Sequence, residues 1–200
     1  MGNLVKLPKA ALFGAANGVM FMTFFGALWS AIGIIGSNKL GAPWPLVLSG
    51  VATLTLLIGA ITLFGKASNV NNVTTLKKKE KWNKINRNFG IICGLEGLAI
   101  LIASVLCNLF DRFEVFFPIM AIIVGVHFFP LARLFRENFY YGTGAVLSIL
   151  GIISLFIPLN TTLGDVSLIA RSTFIGFGSA LTLWVTGLRI WITMLKQLKE

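Results

Sequence analysis

Charged residues are scarce in this chain, at 12% of its 200 residues. Soluble domains carry about 25%. Hydrophobic residues make up 56%, and the mean hydropathy is +0.85. The composition therefore excludes a soluble protein and predicts an integral membrane protein, with residues 1–200 forming a single transmembrane domain.

Signatures of common enzymes are missing as well. The chain has no Walker loop, no Gly-x-Ser-x-Gly elbow and no His-Glu-x-x-His pair. It has one histidine, His127, which excludes a haem held between two histidines. Cys93 lies in an apolar segment, where thiols are inert. We therefore expect no enzyme activity, no catalytic residue and no cofactor.

The excess of basic residues gives a net charge of +10. Most of these residues stand at the ends of apolar segments, where they set membrane topology, so we expect no nucleic-acid partner. The expected partners are the lipid bilayer, its anionic lipids and further copies of the chain, because six short helices enclose only a small cavity. A transporter would add a small molecule or ion as substrate.

Six apolar stretches predict six helices, and most of them reach the ~20 residues that cross a ~30 Å hydrocarbon core. The stretches cover residues 9–35, 45–64, 88–109, 115–134, 141–158 and 168–193. Short connections between them favour antiparallel neighbours. The predicted fold is an all-α polytopic transmembrane helix bundle built from three hairpins.

Basic residues alternate between the two ends of these stretches. One side receives 14 of the 17 Lys and Arg residues, and the other receives only Lys39, Arg112 and Arg171. Basic residues are enriched on the cytoplasmic side of membrane proteins. The pattern predicts that both termini are cytoplasmic, in what we interpret as a bacterial plasma (inner) membrane.

The longest predicted connection is a basic cytoplasmic loop, residues 66–87. Each basic residue held near anionic lipid contributes about 1 kcal/mol. One interpretation is a solvated loop that only sets topology, and the other is a segment that binds anionic lipid or a partner. The residues that would face lipid are Lys77, Lys78, Lys79, Lys81, Lys84 and Arg87.

Small residues recur at positions i, i+4 and i+7 on three predicted helices. Such stripes let helix backbones approach closely in lipid. We therefore expect close helix packing at all three stripes. They are Gly26, Ser30 and Gly33; Gly90, Gly94 and Gly97; and Gly144, Ser148 and Gly151.

Glu96 and His127 are the two titratable groups of interest inside predicted spans, and such groups are functional candidates by default. The turn at Asp111 lies midway between them, so antiparallel helices bring both to one depth. At about 1.5 Å per residue, they lie about 12 Å and about 9 Å from the cytoplasmic ends of their helices. Asn17 reaches a similar depth. We predict a proton or substrate site at Glu96, His127 and Asn17.

Two interpretations of this pair stay open. A carboxylate beside an imidazole can share a proton, which suits the coupling site of a proton-linked transporter or channel-like carrier. A purely structural hydrogen bond between two helices would contribute about 0.6–2 kcal/mol. In that case the chain would be a non-transporting membrane subunit or scaffold.

Pro130 lies three residues after His127 and removes an N–H from the helix, which predicts a kink. Broken helices line the substrate sites of many transporters. Arg133 and Arg136 follow it, and we expect them near the headgroups, in contact with lipid or with an anion.

Soft metal ligands are sparse around this pair. Cys93 precedes Glu96 by three residues, and Met120 precedes His127 by seven, so each lies on the same helix face as its partner. The chain has no Cys-x-x-Cys motif and no histidine-rich tract. The sequence therefore predicts no metal site.

Overall fold

A computed structural model of the chain describes residues 9–69, 76–163 and 166–198, without the side chains of residues 76–79, 81, 163 and 166–168. Six long helices dominate this part. They are α1 (Lys9–Gly36), α2 (Trp44–Ser68), α3 (Leu76–Leu109), α4 (Phe116–Phe135), α5 (Phe139–Phe156) and α6 (Ala170–Gln197). All six are long and apolar enough to cross a membrane, which confirms the predicted transmembrane bundle.

Short non-helical segments complete the described structure. A 3-10 helix, Phe113–Val115, precedes α4. Between α5 and α6, the strands β1 (Thr161–Leu163) and β2 (Val166–Leu168) pair antiparallel. We call the end of the bundle where α1 begins and α6 ends the terminal side, and the other end the distal side.

The helices pack in the lateral order α2, α1, α6, α5, α4, α3, and α2 also touches α6. Each of the three predicted hairpins, α1–α2, α3–α4 and α5–α6, packs as a pair. Helix α3 lies at one edge. Only 6% of its spanning window is buried, against 28–39% for the other five. The described part of α3 is therefore attached to the bundle mainly through α4.

Two helix pairs approach as closely as the small-residue stripes predict. A Cβ atom on Gly176 of α6 would come within 2.6 Å of the Gly33 Cα and 2.8 Å of the Trp29 carbonyl oxygen on α1. A Cβ atom on Gly144 of α5 would lie 2.6 Å from the Gly125 carbonyl oxygen on α4. These stripes confirm the prediction for the first and fifth predicted helices.

The stripe on α3 does not follow this pattern. A Cβ atom on any of its members, Gly90, Gly94 and Gly97, would meet nothing within 4 Å. The reason is the edge position of α3, because one side of the helix packs on α4 and the stripe faces away. Small residues permit close packing, but they do not select the partner.

Arg171 joins three helices at the distal side. Its Nε and Nη2 atoms donate to the Ile157 carbonyl oxygen at 3.2 and 3.0 Å, just beyond the C-terminal end of α5. Nη1 reaches the Glu114 carbonyl oxygen before α4 at 3.4 Å. The last carbonyls of a helix lack intrahelical partners and favour a cation. Arg171, at the start of α6, therefore caps α5 and fixes the distal ends of α4, α5 and α6.

The described parts of the basic segment at residues 66–87 are mostly helical, namely residues 66–68 and 76–87. Helix α2 continues to Ser68 and α3 begins at Leu76. Residues 76–89 contain neither glycine nor proline, and Lys and Glu are good helix formers. Lys84 and Arg87 are exposed on this extension. The side chains of Lys77, Lys78, Lys79 and Lys81 lie outside the described residues.

We expect Gly176→Ala to destabilise the protein by about 1–3 kcal/mol, because the added methyl group overlaps the α1 backbone. Gly94→Ala is the matched control. Its Cβ meets open space, and alanine favours a helix over glycine by about 1 kcal/mol. Unfolding of the purified variants in detergent, followed by circular dichroism, measures both. Equal effects of the two substitutions would contradict the packing of α1 against α6.

Candidate functional site

The Glu96 and His127 side chains meet between α3 and α4. The distance from His127 Nδ1 to Glu96 Oε2 is 3.3 Å. The His127 side chain is 9% exposed and that of Glu96 is 20% exposed. The two titratable groups are therefore in contact at the seam between the edge helix and the rest of the bundle.

A tight helix ending brings the two residues to one level. Asp111 adopts a left-handed conformation with φ 52° after the end of α3. The Arg112 N–H then bonds to the Cys107 carbonyl at 2.8 Å, and the Asp111 N–H bonds to the Asn108 carbonyl at 3.2 Å. This is the Schellman pattern, which terminates a helix and reverses the chain. Helix α4 starts soon afterwards and runs back along α3.

The contact between the two side chains is close without being a well-formed hydrogen bond. His127 Nδ1 is buried, and it has no hydrogen-bond partner of acceptable geometry among the described residues. A buried polar atom in this state costs about 1–3 kcal/mol. The backbone of Ile92, one turn before Glu96, lies beside the same ring. His127 Nδ1 thus lies close to the Glu96 carboxylate but does not form a hydrogen bond of good geometry with it.

Cys93 is the third member of this group. Its Sγ, a Glu96 carboxylate oxygen and a His127 ring nitrogen all lie within 4.8 Å of one another. The thiol is free and half-buried. Residues three apart share a helix face, so Cys93 and Glu96 both face α4. We call Cys93, Glu96 and His127 the seam triad.

From the sequence, Cys93 shares a helix face with Glu96 but is not predicted to be a site residue. The spacing alone was the available signal. It does not say which helix face packs on α4, and that depends on the tertiary structure. Met120, the other soft ligand considered, is partly buried and packs against the hydrophobic core.

Asn17 does not contact Glu96 or His127. It lies exposed on α1 and has no hydrogen bond to either residue within the described segments. Helix α1 packs on α2 and α6, whereas α3 lies at the opposite edge. Their nearest aromatic contact is Phe21 with Phe89, at 6.2 Å between ring centroids. Phe21 follows Asn17 by four residues and Phe89 precedes Glu96 by seven, so Asn17 lies nearer the terminal side than the pair does.

A cavity of about 540 Å³ opens between the terminal-side parts of α3, α4 and α5. Its lining residues are Asn88, Ile92, Phe129, Pro130, Arg133, Leu134 and Tyr141. Two predicted site residues, Pro130 and Arg133, therefore border it. Because Ile92 also lies beside the His127 ring, the cavity reaches to within about one helical turn of the seam triad.

Helix α4 continues through Pro130 and ends beyond Arg133. It stops at Phe135, where Arg136 takes a left-handed conformation with φ 57° and its N–H bonds to the Ala132 carbonyl. Both arginine side chains are exposed. This position agrees with the expectation that they meet headgroups or an anion, although that contact itself stays a prediction. Asn88 and Tyr141, which border the same cavity, were not singled out from the sequence as site residues.

Comparison with known proteins yields a family without a function. Residues 6–186 match the model of DUF7010, described as a family of unknown function. No curated protein and no solved structure matches the chain.

A double-mutant cycle tests whether the contact between Glu96 and His127 contributes to stability. We expect a coupling energy between Glu96→Gln and His127→Asn of about 0.6–1.7 kcal/mol, as for other polar contacts between transmembrane helices. The control cycle joins Arg112→Gln and Glu114→Gln, whose side chains lie 3.6 Å apart with Arg112 73% exposed. Exposed ion pairs contribute about 0–1 kcal/mol. A coupling at the seam no larger than that of the control would contradict the contact.

Proposed function

We propose that the chain, which belongs to the DUF7010 family of unknown function, is a small membrane carrier for a cation. The seam between α3 and α4 holds its cation site. In the simplest form the cation is a proton, and the chain is a proton-linked transporter. The observation that carries this proposal is the 3.3 Å approach of His127 Nδ1 to Glu96 Oε2 inside two membrane-spanning helices.

The cost of placing these groups in hydrocarbon supports a functional role. Ionisable side chains within transmembrane segments are rare, and they mark ion pathways and proton relays. A structural link between α3 and α4 needs no titratable group, as the Thr143–Thr186 hydrogen bond of 2.9 Å between α5 and α6 illustrates. Two hydroxyl groups tie those helices without any charge. The presence of Glu96 and His127 at the seam therefore favours a function other than helix packing.

The position of the site also suits transport. Helix α3 packs mainly on α4, so a small movement of α3 changes the seam without repacking the bundle. The cavity bordered by Pro130 and Arg133 approaches the same seam from the terminal side. The proposal takes that side as cytoplasmic, because 14 of 17 basic residues lie there. This cavity would then open to the cytoplasm within about one helical turn of Glu96.

One observation favours a second candidate, a non-transporting membrane subunit or scaffold. The stripe of Gly90, Gly94 and Gly97 has open space beside it, so a second copy of the chain or another membrane protein can pack there. Lys84 and Arg87 stand exposed on the same helix, where anionic lipid or a partner would meet them. A homo-oligomeric carrier would combine both roles.

Glu96→Gln is expected to abolish proton flux into proteoliposomes while the protein still purifies as a folded species. An entrapped pH-sensitive dye reports the flux under an imposed membrane potential. Glu80→Gln is the matched control, because Glu80 is an exposed glutamate on the terminal-side extension of α3. Its flux should equal that of the wild-type protein.

Glu96→Asp keeps the carboxylate, so it separates loss of charge from loss of folding. If Glu96→Gln fails to fold, retained flux in Glu96→Asp still supports the proposal. Wild-type flux in a folded Glu96→Gln variant would overturn the role of Glu96 in moving protons. No flux above empty liposomes in the wild-type protein would overturn the proton as the cation.

A further inference from the structure

We propose that the seam triad is a binding site for a divalent transition-metal ion of the Zn²⁺ class. Cys93, Glu96 and His127 supply its three protein ligands. The inference rests on the proposed carrier function and deepens it, because it names the chemical class of the cation. Neither the family nor the sequence pattern assigned such a site.

The chemistry of the three side chains selects this class of ion. Zn²⁺ binds thiolate, imidazole and carboxylate ligands, whereas Mg²⁺ and Ca²⁺ require oxygen. Three protein ligands leave one of four tetrahedral positions open for water or for a passing ligand. Structural zinc sites are closed by four protein ligands. The seam triad therefore resembles sites at which a ligand exchanges.

The distance between two of the ligand atoms already suits a bound ion. Tetrahedral Zn²⁺ with bonds of about 2.0–2.2 Å to nitrogen and oxygen places those two atoms about 3.4 Å apart. The observed separation of His127 Nδ1 and Glu96 Oε2 is 3.3 Å. Cys93 Sγ lies within 4.8 Å of a His127 ring nitrogen and of a Glu96 carboxylate oxygen, and an edge to sulfur measures about 3.6 Å. In the metal-bound form we expect Sγ to move to that shorter distance.

The surroundings of His127 also fit a role as a metal ligand. Its side chain is nine-tenths buried, and Nδ1 makes no well-formed hydrogen bond in the described part of the chain, although Glu96 Oε2 and the Ile92 backbone lie beside the ring. A neutral imidazole has one nitrogen that accepts, and an ionised carboxylate only accepts. A metal ion between the two would satisfy both acceptors at once.

The charges of the triad suit a divalent ion in an apolar seam. A buried ion is tolerated only when it is compensated by ligands of opposite charge. One thiolate and one carboxylate carry two negative charges, and a metal-bound imidazole is neutral. Together with a divalent cation the site is electrically neutral. The membrane would then hold no uncompensated charge at this level.

Cobalt is the probe for this site, because Co²⁺ replaces Zn²⁺ and a thiolate ligand gives an intense near-ultraviolet charge-transfer band. Co²⁺ is added to the metal-free full chain in detergent. We expect this band in the wild-type protein and its displacement by Zn²⁺. Cys93→Ser should abolish the band. Cys107→Ser is the matched control, since Cys107 is the other cysteine of α3 and should leave it unchanged.

Substitution of the other two ligands should weaken binding without removing the thiolate. We expect Glu96→Gln and His127→Gln each to lower Co²⁺ affinity by at least about 10–100-fold, the range known for residues that only support a ligand. The inference is overturned if the wild-type protein shows no band, or if the band survives Cys93→Ser.

A second measurement needs no variant and so does not depend on mutant folding. Zn²⁺ should slow alkylation of Cys93 by a maleimide in the native protein, and it should leave Cys107 unaffected. Peptide mass spectrometry resolves the two cysteines. Equal rates at Cys93 with and without Zn²⁺ would overturn the site.

Transport in proteoliposomes separates this inference from the carrier function on which it rests. Zn²⁺ uptake that Cys93→Ser removes would support both. Zn²⁺ binding without any Zn²⁺ or proton flux would overturn the carrier and leave the metal site. Proton flux in a chain that binds neither Co²⁺ nor Zn²⁺ would overturn the metal site and leave the carrier.

Discussion

Hydrocarbon provides no hydrogen-bond partners, so the polar groups of this chain have to be satisfied within the chain, and the structure depends on that constraint. Thr23 donates to the Val19 carbonyl at 2.8 Å within α1. Arg171 donates to carbonyls at the distal ends of other helices. Most polar atoms in the spans follow this rule by bonding to their own helix or to a neighbour. The groups that depart from it are therefore informative about function.

Among the buried polar groups without a hydrogen-bond partner, His127 bears most directly on function. Four other buried side chains, Ser148, Ser179, Trp184 and Trp191, also carry an unpaired polar atom among the described residues. None of them is a titratable group held against another titratable group. His127 lies against Glu96 on the one helix that packs mainly on a single neighbour. The seam between α3 and α4 thus combines an unsatisfied polar atom, a nearby cavity and an edge helix whose described part packs mainly on α4.

The six spans and their pairing in hairpins were predictable, because apolar runs of spanning length joined by short connections leave few alternatives. The common depth of Glu96 and His127 followed from their equal distances to the turn at Asp111. The sequence could not predict which helices and faces meet, so Asn17 was grouped with a pair that it does not contact. Cys93 was not predicted as a site residue for the same reason, because spacing along α3 does not reveal which face of the helix packs on α4. Residues 76–87 were assigned to the connection between spans because they are too polar to cross a membrane, and they form the start of α3 because nothing there breaks a helix.

The proposed cation site lies in this seam, between the side chains of α3 and α4. X-ray absorption spectroscopy of the Zn²⁺-loaded full chain tests it most directly. We expect one sulfur ligand at about 2.3 Å, together with nitrogen and oxygen ligands at about 2.0–2.2 Å and the outer-shell scattering of a single imidazole. A coordination shell without sulfur and without imidazole scattering would contradict it.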